Sequence, residues 1–141
     1  MQQREVNAVS RAVLGPVCVA VALIAFTFAF VANAATPSAQ TQAEITHLLD
    51  YLGGSQCDFY RNGSWHDAPA ARAHLEKKRD YLLKRSLIGS TEDFITRAAT
   101  GSSLTGEKYQ VRCKPNPAVP SSEWLRAELK RYRAEGPKRG Q

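Results

Sequence analysis

The stretch CDFYRNGSWHDAPAARAHLEKK, Cys57–Lys78, decides the fold. Its first residues alternate: Cys57, Phe59 and Arg61 point one way, Asp58 and Tyr60 the other, as side chains along a strand must. Asn62-Gly63 follows, and because both residues tolerate positive φ the pair reads as the tight turn of a hairpin. Ser64–His66 is then a short returning strand. Asp67 offers an oxygen to cap a helix, with Pro69 in the first turn, where a missing N–H costs nothing. That helix is predicted over residues 68–85. On its wheel Ala70, Ala71, His74, Leu75, Lys78, Tyr81, Leu82 and Arg85 share one arc, opposite Arg72, Glu76, Lys77, Arg79, Asp80 and Lys84. His74 and Lys78, one turn apart, thus fall in the middle of the face expected to be buried. A charge there is costly unless it is paired or opens to a cavity.

Upstream, Ala35–Gln40 reads as a linker and Thr41–Glu44 has the spacing of a capping box. Ile45, Leu48, Leu49 and Leu52 form the stripe of a first helix that Gly53-Gly54 ends, with His47 beside the stripe as a surface residue. Downstream, Ser90 or Thr91 caps a short helix over 92–99 with Phe94, Ile95 and Ala98 inward. Thr100–Gly106 is a polar turn, and Glu107–Cys113 alternates again, with Tyr109, Val111 and Cys113 on one side. Pro115, Pro117 and Pro120 make an extended crossing. Ser121 or Ser122 caps a last helix striped by Trp124, Leu125, Leu129 and Tyr132, a stripe that suits core packing or, alternatively, a membrane surface. The expected architecture is α+β: a single small domain over 41–134, about four helices on a two- to three-stranded antiparallel sheet, then a basic disordered tail over 135–141.

Residues 1–34 have the layout of a cleaved secretory signal. Arg4 and Arg11 mark a positive start, an apolar run spans Ala12–Ala32, and Ala32-Asn33-Ala34 is a small-residue cleavage site. An uncleaved, outward-facing anchor is the alternative, since about 20 apolar residues cross a bilayer. Gly15-Pro16 interrupts the run, and Cys18 lacks the residues that precede a lipidation site. The expected address is periplasmic or secreted. Beyond the leader, Cys57 and Cys113 remain, and an oxidising compartment would join them in a disulfide; two buried thiols are the alternative. If their strands lie side by side, both sulfurs point to the inner face. No histidine stands at ligand spacing from either cysteine, so no metal or cofactor is expected. The net charge of +6 suggests attraction to an anionic envelope component, or to an envelope protein, against the alternative of a solvated basic surface. The basic residues are not interleaved with aromatics, which argues against nucleic acid.

Arg61, His66, His74, Lys78, Ser102, Ser103 and Tyr109 are the side chains with chemistry to offer. Converging near the hairpin, Arg61, His74 and Lys78 with Ser103 and Tyr109 would form a small cationic notch for a carboxylate or phosphate. The alternative is a hydrolase-like site with His74 as general base and Ser102 or Ser103 as nucleophile. Neither Gly-x-Ser-x-Gly nor Ser-x-x-Lys is present, however, and turn hydrogen bonds explain the serines. In a purely structural reading Lys78 extends to solvent, His74 bonds a backbone carbonyl, and Arg61 pairs with Asp93 or Glu92.

Arg61-Asn62-Gly63, His74-Leu75 with Lys78, and Thr91-Glu92-Asp93-Phe94-Ile95 stand in an order that resembles the YfeK-like family of small exported bacterial proteins of unknown function. Ala98, Ser102-Ser103, Thr105-Gly106, Lys108-Tyr109 and Val111 continue the resemblance as far as the strand ending at Cys113. It implies an exported domain of this extent and supplies no reaction.

Overall fold

The computed structural model describes residues 36–136. The expected leader, and all of the expected tail except Glu135 and Gly136, lie outside the described residues. The elements are α1 (Ala39–Gly54), β1 (Asp58–Arg61), β2 (Ser64–His66), α2 (Ala68–Leu83), α3 (Thr91–Phe94), a π-helical turn (Ile95–Ala99), β3 (Gln110–Arg112), β4 (Val119–Pro120) and α4 (Ser121–Glu135). They form a small α+β domain whose antiparallel sheet has the order β2-β1-β3-β4. The sheet has four strands rather than two or three. The fourth comes from the proline crossing, where Val119 and Pro120 pair with Val111 and Gln110. A proline can lie on such an edge because no further strand needs its missing N–H.

The hairpin forms as read. Asn62 and Gly63 have φ of 49° and 81°, and Arg61 pairs with Ser64 across them. Asp67 caps α2 by accepting from the amide of Ala70, 2.8 Å away. Ser90 caps α3 in a reciprocal box with Asp93. Other ends differ. Helix α1 starts at Ala39, two residues before Thr41, because Ser38 accepts from the Thr41 amide and serves as its cap. Glu44 is therefore free of a capping role. Helix α4 has no side-chain cap: Ser121 and Ser122 are buried, and the Ser121 amide donates to the Tyr109 carbonyl.

Phe59 and Val111 on the inner sheet face meet Ile45, Leu48, Leu49 and Leu52 of α1, Leu75 and Leu82 of α2, Phe94, Ile95, Ala98 and Ala99, and Leu125 and Leu129 of α4. The disulfide Cys57–Cys113 staples the start of β1 to the chain just after β3. Trp124 stacks on Tyr51 at 4.6 Å and meets Phe59 edge-on at 5.7 Å, which is core packing. Among the described residues no helix is long and apolar enough to cross a membrane.

The wheel of α2 requires a correction. Its buried stripe is Ala68, Leu75 and Leu82, flanked by half-buried Ala71, while Ala70, Tyr81 and Arg85 face solvent. The Arg85 guanidinium lies over the Tyr81 ring at 3.9 Å, so each covers the other outside the core. His74 and Lys78 consequently lie at the border of the packed face, half-buried, rather than at its centre.

Two buried acids pin α4 to the rest of the fold. Glu44 receives a two-pronged hydrogen bond from Arg133, which also pairs with Glu92, and a further one from Thr91. Glu128 is bracketed by Arg131 and His47. Arg133 holds the Glu44 carboxyl down to about 2, more than offsetting the upward push of burial. His47 is thus tied to Glu128 and stacked on Tyr132 at 4.0 Å, not a bare surface residue.

Candidate functional site

Strand alternation places Phe59 and Arg61 on the inner face of β1, and the register sets His66 of β2 opposite Phe59. Helix α2 starts directly after β2, so its first turns return over the hairpin and bring Ala71, His74 and Leu75 to the same place. Tyr109, just before β3, closes the group from the other side: its hydroxyl lies 3.2 Å from His74 Nε2 and its ring meets the imidazole edge-on. These residues line a cavity of about 30 Å³ together with Leu52 and Ala99.

Lys78 stands one turn beyond His74. Its Nζ donates to the Gly101 carbonyl at 3.0 Å and lies 5.1 Å from the centre of the Tyr109 ring. The carbonyl bond foreseen for His74 is therefore made by Lys78, and His74 has a hydroxyl partner instead. Gly101 packs against the Glu107 backbone as only a residue without a Cβ can, since a Cβ would meet the Glu107 carbonyl oxygen at 2.7 Å.

The electrostatics are one-sided. Burial, then the charges of Arg61, Lys78 and His66, push His74 down to about 4, so its ring is neutral at pH 7. Burial and Arg61 also lower Lys78, whereas burial raises Tyr109 against the pull of Arg61. Arg72, Arg79, Arg112, Arg131 and Arg133 each have a carboxylate. Among the described residues none ion-pairs with Arg61, His66, His74 or Lys78. The pairing of Arg61 with Asp93 or Glu92 does not occur. Asp93 accepts from the amides of Gly89 and Ser90, and Glu92 is taken by Arg133.

The structure thus brings together Arg61, His74 and Tyr109, with His66 added and Lys78 behind the tyrosine. Ser103 is exposed in the turn and lines no part of the cavity. Ser102 is buried, and its oxygen accepts from the amides of Leu104 and Thr105. Neither serine is the partner of His74, so the geometry gives no serine–histidine pair. The apolar lining of the cavity was not foreseen, because Leu52 read as part of the first helix's core stripe and Ala99 only as the end of the short helix over 92–99.

A curated relative, "Uncharacterized protein YfeK" of Salmonella typhimurium, is 34% identical over 94 residues, covering 66% of this chain and 73% of its own length. No solved structure matches. The family of unknown function DUF5329 matches residues 25–133, the whole described fold apart from the end of α4. The similarity to a YfeK protein foreseen from the motifs is therefore real, and the chain belongs to the DUF5329 family.

Proposed function

We propose that the protein is an exported, non-enzymatic accessory or binding protein of the bacterial envelope, and that the notch of Arg61, His66, His74 and Tyr109, backed by Lys78, holds one anionic group. One observation carries the reading: half-buried cationic side chains converge without any carboxylate, in a fold that pairs five other arginines. Like charges brought together out of water repel, and an anion entering among them relieves the repulsion. The Arg61 fork suits a carboxylate or phosphate, with the Tyr109 hydroxyl as a neutral donor beside it. The leader-like residues 1–34 and the Cys57–Cys113 bridge support export, since disulfides persist in oxidising compartments.

Two measurements test it. In NMR titrations the His74 ring should gain basicity when phosphate or acetate is added, because a nearby anion favours imidazolium, and Arg61→Gln should remove the effect. A His74 ring indifferent to every anion would reduce the notch to a packing contact. For the address, fractionated cells should yield a chain beginning at Ala35 outside the cytoplasm; an intact chain inside it would refute export.

A further inference from the structure

Arg61, His66 and His74 are only part of the cavity's lining. Leu52, Phe59, Leu75 and Ala99, all buried, line it as well, together with Ala71. Water held there would find few of the two to four polar partners it needs, whereas an apolar group would lose nothing. On the same measure a water-sized group takes roughly 10–15 Å³. The 30 Å³ of this cavity therefore admits a chain of one or two carbons and no more.

We infer that the ligand of this notch is a short-chain monocarboxylate, with its carboxylate at Arg61 and a tail of one or two carbons in the apolar cavity. The inference rests on the anion-binding reading above and adds a chemical class to it. Inorganic phosphate meets the cations equally well but offers nothing to the apolar residues of the lining. A second carboxylate would be forced among leucine, phenylalanine and alanine side chains, where a charge has no partner. A long acyl chain meets Leu52 and Ala99, which are already packed in the core, and must displace them to enter.

Binding to the full chain should be measured by NMR for formate, acetate, propionate, butyrate, valerate and inorganic phosphate. Each carbon that enters the cavity should tighten binding roughly fourfold, so affinity rises from formate to propionate and then falls from butyrate onward. Leu75→Ala should move the optimum to longer acids. Because that variant can also loosen the core, Ala71→Val at a half-buried position gives an independent check: it should bring propionate down to the level of formate while formate still binds. Equal binding of formate, propionate and phosphate would overturn the inference and leave the anion notch standing. A chain-length preference that survives Ala71→Val would overturn it as well, and absence of binding by every probe would overturn both readings.

Discussion

At His74 burial and the charges of Arg61, Lys78, His66 and Lys77 act in one direction, and the consequence for stability has a definite sign. The unfolded ring titrates near 6.5 and the folded ring near 4. Above 6.5 neither state holds the proton and the full stability is present. Between 6.5 and 4 the unfolded chain takes up the proton first, so stability falls as pH falls. Urea midpoints recorded across that range should decline, and His74→Gln should flatten the decline. Glu44 adds a second, lower step: its contribution is complete above 4.5 and is lost between 4.5 and about 2 as its bonds to Arg133 go. Arg133→Ala, which leaves Glu44 buried with lesser partners, should destabilise the fold by about 3 kcal/mol in chemical unfolding. Arg133→Lys should recover only part, lacking a fork that spans two carboxylates. The sequence disclosed Arg61, His74 and Lys78 because charged residues stood at positions where a helix or strand turns inward. It did not disclose Glu44, whose spacing from Thr41 imitates a capping box while its partner lies 89 residues away.

Among the elements, the hairpin carries the most for its size, because it aims Arg61 and His66 at the cavity. Gly63 has φ of 81°, and Gly63→Val should cost about 1–2 kcal/mol in thermal unfolding through the left-handed backbone alone. Gly101→Ala should be destabilising for a different reason, a Cβ driven against the Glu107 carbonyl, and should shift the NMR signals of Tyr109 by moving the acceptor of Lys78. Strands β1 and β3 were legible because each alternates around a residue that is plainly apolar, and β2 because the Asn62-Gly63 turn demands a returning strand. Strand β4 was not, since two residues carry no alternation and one of them is a proline. The rotation of α2 was misread because Tyr81 counts as apolar by composition, yet its ring is covered by Arg85 rather than by the core.

For the whole molecule, the class and the bridge between cysteines followed from short-range patterns, whereas the cavity did not. It needs α1, the hairpin, α2, the π-helical turn and the approach to β3 at once, and no local periodicity records such a meeting. The bridge spans 56 residues, so reduction, or Cys57→Ser with Cys113→Ser, should lower unfolding stability by about 4 kcal/mol. Denaturant titrations with and without reductant would read it, and the slope should rise because the reduced chain unfolds to a more expanded state. The Glu44–Arg133 clamp bears also on the order in which the chain is made. A chain growing from its amino end produces the acid 89 residues before its guanidinium, so α1 carries a charge without its main partner until the last turn of α4 exists. A nascent fragment ending before Arg133 would remain open at that seam.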